Sequence, residues 1–264
     1  MAASTFETVT YEAQDQQVSW HGISMAEGAE FASFMTTDVA SRLNDEEEAI
    51  EFEADLRSLA NTGFASDSLS ELLAAQIPEE RDWAAGEALA EAYLTRQHAV
   101  VWPWNMKRDM RTPKASLPGA DLVGFEINGD DIRFALGEVK TSGDVDTPPN
   151  VMYGRSGMIH QIDNLACNLG LVCQLTRWLH IRCKKTKHEA QFNAAIKLFL
   201  SSGNKAISLF GVLIRDTRPN ELDLRARGQS LARTLCDPST CQLIAVYIPC
   251  AITDLPARIS GGKA

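Results

Sequence analysis

The chain has 264 residues, 45% of them hydrophobic, and a formal net charge of -10. That length suits one large domain or one domain with a smaller companion, and that composition excludes a disordered or collagen-like chain. No apolar run approaches the roughly 18–20 residues of a membrane span.

The opening MAASTFETVTYEAQDQQ lacks the basic start and apolar centre of a secretory signal. The six cysteines (Cys167, Cys173, Cys183, Cys236, Cys241 and Cys250) show neither a CxxC pair nor zinc spacing with histidine. They read as reduced thiols, and the expectation is a soluble cytoplasmic protein with no membrane partner.

The charge is unevenly placed. Residues 1–82 hold 18 Asp/Glu against 3 Lys/Arg, a balance of -15, whereas residues 83–264 hold 17 against 22, or +5. The window 155–205 is more basic still, with 8 Lys/Arg against Asp163 and Glu189. An acidic segment thus precedes a module able to meet a polyanion. The plainer reading of NDEEEAIEFEADL, a solvated helix face, stays open beside it.

In chain order, residues 1–36 give no clear signal. Residues 37–61 read as helical and stop at Asn61-Thr62-Gly63. Asp67 is a candidate cap for a short helix from Ser68 to about Ala75, and Pro78 marks a boundary. An acidic, mainly helical N-terminal region, 1–81, with a partner-docking or regulatory role, is therefore expected ahead of a domain spanning 82–264. The stretch DWAAGEALAEAYLTRQH is rich in helix formers, with Asp82 as candidate N-cap.

AVVWPW, ADLVGFEI, DIRFALGEVK, AISLFGVLIRD and CQLIAVYIP read as strands. A long helical region from about Gly157 to Phe199, broken near Lys184–Lys187, carries Met158, Ile162, Leu165, Leu169 and Val172 at helical spacing. NELDLRARGQSLARTLC reads as a helix between the last two strands. The class is α/β with a mixed sheet flanked by helices.

The chemistry concentrates at one hairpin. Asn128-Gly129 is a strong turn signal. If Asn128 to Asp131 form the loop, Ile127 pairs with Ile132, Phe125 with Phe134 and Val123 with Leu136, which sets Asp121 opposite Glu138. A shorter loop would shift Asp121 to Leu136, but the apolar matching favours the first register. Opposed residues share a face at roughly 4.5–5.5 Å between Cβ atoms, where like charges repel. Lys140 points the same way. A divalent cation such as Mg²⁺, which takes hard oxygen ligands and keeps several waters, would offset that repulsion.

These residues resemble the PD-(D/E)xK nuclease superfamily. Asp121, reached through PGAD, and Glu138-Val139-Lys140 match its motif. Glu87 fits the acidic residue many members carry on the preceding helix, and Gln161 in GMIHQIDNL the polar residue often found on the helix after the motif. The superfamily's order of helix, three strands, helix, strand agrees with the elements read above over roughly residues 82–216. Pro118 departs from the pattern by standing three residues before Asp121.

The resemblance implies a restriction-endonuclease-like core. It also implies Mg²⁺ (or Mn²⁺) held by Asp121, Glu138 and the Val139 carbonyl, with Lys140 orienting a water, and hydrolysis of DNA. GEALAEAYL, PGADLVGF and LGEVKTS together look like the HamA family, nuclease subunits of Hachiman anti-phage systems whose partner is a DNA helicase, HamB.

Glu87 could instead face solvent with Glu91, and Gln161 could be an ordinary helix-flank residue. Trp102 and Trp104 could stack on bases beside Lys107, Arg108 and Arg111, or lie in the core. Lys184, Lys185 and Lys187 could track phosphates, or cap an exposed helix end. A non-catalytic adaptor on a nuclease fold and an RNA-cleaving enzyme stand as the alternatives to a DNA nuclease.

Overall fold

The computed structural model describes residues 6–74, 82–105 and 119–261. Lys107, Arg108 and Arg111, with Pro78, Pro118 and the side chain of Asp82, lie outside the described residues.

Seven strands form one mixed sheet: β1 (Glu7–Asp15), β2 (Val18–Met25), β3 (Val100–Val101), β4 (Leu122–Asn128), β5 (Asp131–Ser142), β6 (Ile207–Arg215) and β7 (Thr240–Tyr247). Their order is β1-β2-β7-β6-β5-β4-β3. Strands β2, β7, β6 and β5 run parallel to one another, while β1, β4 and β3 are added antiparallel. The central β6 is buried along its whole length, as a strand covered on both faces must be.

One face is covered by α6 (Met158–Cys167), α7 (Leu169–Cys183), α8 (Glu189–Ser201) and α9 (Arg225–Ala232), which share a core with Trp20, Phe125, Phe134, Leu136, Leu213 and Leu243. The other is covered by α1 (Ala29–Phe34), α2 (Ala40–Asn44), α5 (Asp82–His98) and α10 (Leu255–Ile259). Phe31, Leu89, Leu122, Val139 and Val212 belong to that second core. The mixed sheet flanked by helices is as expected, and so is the run of helix, three strands, helices, strand, helix, strand after residue 82.

Several expected elements differ. Residues 7–25 are not helical but form a hairpin inside the main sheet, so the sheet draws strands from both sides of residue 82. The helix expected over 37–61 is divided at Asp45, which takes a left-handed φ of 50° between α2 and α3 (Glu46–Leu59). The next helix, α4 (Gly63–Ala74), starts earlier than expected because Thr62 Oγ1, not Asp67, accepts an early backbone N–H, that of Ala65.

AVVWPW shrinks to two strand residues. Pro103 cannot donate to a ladder, and the two indoles leave in different directions. Trp102 Nε1 donates to the Glu91 carbonyl at 3.1 Å, and Trp104 Nε1 to the Val123 carbonyl at 2.5 Å. Both tryptophans are core. The region 157–199 breaks at Asn168 as well as near 184–188, since Asn168 caps α7 by accepting from the Leu171 N–H. The helix expected over 220–236 is reduced to a 3-10 turn, Glu221–Asp223, and α9.

The hairpin register is the one that apolar matching favoured. Ile127 faces Ile132, Phe125 faces Phe134 and Val123 faces Leu136, with Gly129 in the turn at φ 63°. Gly137 is required here by close approach. A Cβ on it would stand 2.2 Å from the Phe210 carbonyl oxygen of β6 and 3.1 Å from Leu122. Backbone on a central strand cannot yield as a side-chain tip can. Gly137→Ala is therefore expected to destabilise the fold by about 2 kcal/mol or more, the scale of core overpacking, read as an earlier midpoint in urea unfolding.

Candidate active site

The paired register ends at Leu122 opposite Gly137, and just before it the Asp121 N–H donates to that same Gly137 carbonyl at 3.1 Å, which closes the start of the hairpin. Asp121 is thereby set beside Glu138. Its Oδ2 accepts the Val139 N–H at 2.9 Å, and its carboxyl is close enough to that of Glu138 for the two to shift each other's proton affinity. Glu138 and Lys140 leave β5 on the face that carries Phe134 and Leu136. Lys140 Nζ donates to Glu138 Oε1 at 2.5 Å. Two carboxyls and one ammonium thus converge where β4 begins.

Along a strand, alternate residues present their carbonyls to the same neighbour. The Gly137 carbonyl points to β4, so that of Val139 points the same way, past the strand's first residue.

Glu87 comes from α5, which packs on the opposite face. Its carboxyl nevertheless feels Asp121, Glu91, Glu138 and Lys140. Burial, then the negative charges of Asp121, Glu91 and Glu138, push its pKa up to about 9. Glu138 is pushed up to about 7 by burial and by Asp121, against the pull of Lys140. Asp121 is raised by burial, opposed by the Val139 N–H and Lys140. Desolvation leads in all three, and one lysine does not neutralise three buried acids. Glu91, one turn beyond Glu87 on α5, is otherwise engaged: Arg42 Nε donates to its Oε2 at 2.6 Å.

This donor set fits a hard divalent cation. Glu87 Oε2 is buried and has no hydrogen-bond partner among the described residues. Three or more His, Cys, Asp or Glu side chains do not stand together as a ready cage among the described residues. The fit is therefore to an ion that takes two carboxylates and keeps waters, as Mg²⁺ does.

The remaining expected residues lie elsewhere. The Gln161 amide donates to the Arg155 carbonyl at 2.9 Å, so it is engaged on its own loop and not on the carboxylates. Lys184, Lys185 and Lys187 are exposed in the turn between α7 and α8, where the Lys185 N–H donates to Glu189.

A cation that sequence reasoning passed over is Arg215, 1% exposed at the end of β6. It sits beside Ser142, on the face that carries Lys140. Its Nε lies 3.6 Å from Asp223, and its Nη2 donates to the Asp146 carbonyl at 3.1 Å. It ties the segment after β5 to the turn before α9. The signal was present: an arginine closing the apolar run of AISLFGVLIRD.

No protein-family model matches the chain, and no curated protein matches it. Among the described residues no helix is long and apolar enough to cross a membrane.

The electrostatics set a measurable sign. Glu87 ionises near its ordinary 4.5 when unfolded and near 9 when folded. Its protonated form favours folding, so its contribution is fully present below pH 4.5 and is lost as pH rises through 9. Glu87→Gln, which cannot ionise, should stabilise the metal-free protein at pH 9 by about 1–3 kcal/mol, or roughly 2–8 °C in melting temperature. Little gain is expected at pH 4.5. Differential scanning calorimetry at the two pH values checks this, and an equal gain at both would contradict the assigned cause.

Proposed function

We propose that this chain is a divalent-metal-dependent nuclease that hydrolyses DNA phosphodiester bonds on a restriction-endonuclease-like core of the PD-(D/E)xK type. The observation that carries the reading is the convergence of Asp121, Glu138 and Lys140 at the start of β4, with Asp121 held by the Val139 N–H at 2.9 Å and Lys140 2.5 Å from Glu138. A register one residue different would send these side chains to opposite faces. Buried like charges beside unmet acceptor capacity are what a cation site requires and what a purely structural strand end avoids.

Asp121, Glu138 and the Val139 carbonyl would hold Mg²⁺ or Mn²⁺. Such an ion, when bound, polarises a phosphoryl oxygen and lowers the pKa of a bound water. The Val139 N–H fixes the Asp121 carboxylate in place, so that donor is oriented before substrate arrives. The Lys140 ammonium supplies positive charge where the phosphoryl oxygens gain negative charge, and it can orient the attacking water. Glu87, whose proton affinity burial and the neighbouring acids Asp121, Glu91 and Glu138 raise in the metal-free protein, stands beside these carboxyls, and a bound cation would lower that affinity. Gln161, which the resemblance adds to the site, has its amide N–H on the Arg155 carbonyl, and the mechanism assigns it no step.

The net charge of -10 disfavours strong unaided DNA binding. Together with the resemblance to HamA, it supports a role in anti-phage defence in which a HamB-like helicase delivers the DNA.

Glu138→Ala and Lys140→Ala should each lower Mg²⁺-dependent cleavage of duplex or single-stranded DNA by at least about 100-fold, the scale of a lost charge-stabilising group. Circular dichroism should show the fold intact. The same panel with RNA and with EDTA, run with and without the helicase, separates the readings. Cleavage retained in Glu138→Ala overturns the assignment, RNA-only cleavage moves it to a ribonuclease, and nucleic-acid binding indifferent to EDTA without any cleavage makes the chain an adaptor.

A further inference from the structure

Helices α3 and α4 are anomalous by the standard of the rest of the fold. Helix α4 buries none of its 12 residues. Phe52 and Leu59 on α3 are 46% and 73% exposed, and Phe64 and Leu72 on α4 are 84% and 56% exposed. Their spacing is that of packing faces. Phe52, Leu56 and Leu59 fall at i, i+4 and i+7 of α3, and Leu69, Leu72 and Leu73 at i, i+3 and i+4 of α4. Helices of this length are marginal in water unless an apolar face is covered, since isolated helices below about 12–15 residues barely form. Two packed helices leave such faces incomplete, and a third helix completes them.

Charge limits what the third helix can be. Residues 46–74 contain 8 Asp/Glu and one Lys/Arg, a balance of -7 out of the chain's -10. A second copy would bring -7 against -7. Nucleic acid and anionic lipid surfaces are repelled in the same way. An apolar stripe flanked by positive charge is complementary on both counts.

We propose that the α3–α4 arm is a protein-docking surface whose occupant is a basic amphipathic helix of a partner, with apolar residues seated against Phe52, Leu59, Phe64 and Leu72. The surface does not depend on the nuclease reading, and it is tested by binding, not by cleavage.

The probe is a synthetic 18-residue lysine–leucine peptide with leucines at helical i, i+3, i+4 spacing. Its control is a permuted peptide of the same composition without the stripe. Both are titrated into the full chain by fluorescence anisotropy, beside the Phe64→Ser/Leu72→Ser double variant. Both positions are exposed, so the variant should melt as the wild type does. A Kd at least ten-fold tighter for the striped peptide, with at least a ten-fold loss in the double variant, is expected, and binding should weaken as salt is raised. Equal binding of the two peptides reduces the arm to a charged surface and overturns the proposal, as does unchanged binding by the double variant or no binding at all. Sedimentation equilibrium should report a monomer. A dimer dissolved by Phe64→Ser/Leu72→Ser would make a second copy the occupant and also overturn it.

Discussion

The site is governed by one electrostatic conflict: two carboxyl groups set side by side on a β-hairpin with most of their water removed. Neighbouring carboxylates of one sign destabilise a sheet even when solvated, and burial makes each charge dearer. The fold does not relieve the conflict by turning a side chain away. Asp121 is held by the Val139 N–H and Glu138 by the Lys140 ammonium. Three apolar pairs behind them fix the register. Slipping that register to separate the acids would expose Phe125, Phe134 and Leu136. The core of one face thus enforces the repulsion at its rim, and the raised proton affinities of Glu87, Asp121 and Glu138 record it.

How much of this could be read from the amino acids follows from where the information was local. The β4–β5 hairpin was legible because Asn-Gly specifies a turn and because apolar residues alternate on both sides of it. The β1–β2 hairpin was not. Its turn is Gln16-Gln17, with Gln16 held at φ 51°, a conformation glutamine does not advertise. β1 is an edge strand with most of its side chains in water, so it shows no apolar alternation. Its place in the sheet is fixed by contact with β2, which lies beside β7 more than 200 residues away in the chain. No local pattern encodes that pairing.

Within the site the same rule separates the residues. Asp121, Glu138 and Lys140 are related by strand period and register, and the sequence contains both. Glu87 and Glu91 are one helical turn apart on a helix rich in small residues, and nothing local says which faces the carboxyls. The answer lies in Arg42, which takes Glu91 and also donates to the Trp104 carbonyl at 2.9 Å. Gln161 matched a motif position, but its amide N–H is taken by the Arg155 carbonyl. A short polar motif fixes residue type and leaves direction to the loop around it.

The Arg42–Glu91 pair also defines the mechanical relation between the acidic arm and the site. Helix α3 follows α2 after Asp45 alone, Arg42 lies on α2, and Glu91 lies one turn beyond Glu87 on α5. The arm is therefore joined to the helix bearing Glu87 through α2, whose Arg42 makes a charge-assisted contact with the buried Glu91 and whose Ala40 shares a core with Leu89. Removing Arg42 would leave the Glu91 charge buried and unpaired, a loss of about 3–5 kcal/mol. Such a joint is stiff. Contiguity of this kind transmits a signal only if the arm has two arrangements that the joint can sense. With a single arrangement it acts as a strut that holds α5 against the sheet. The strut alone has a physical consequence: α2 packs in the same core as α5, the helix that bears Glu87.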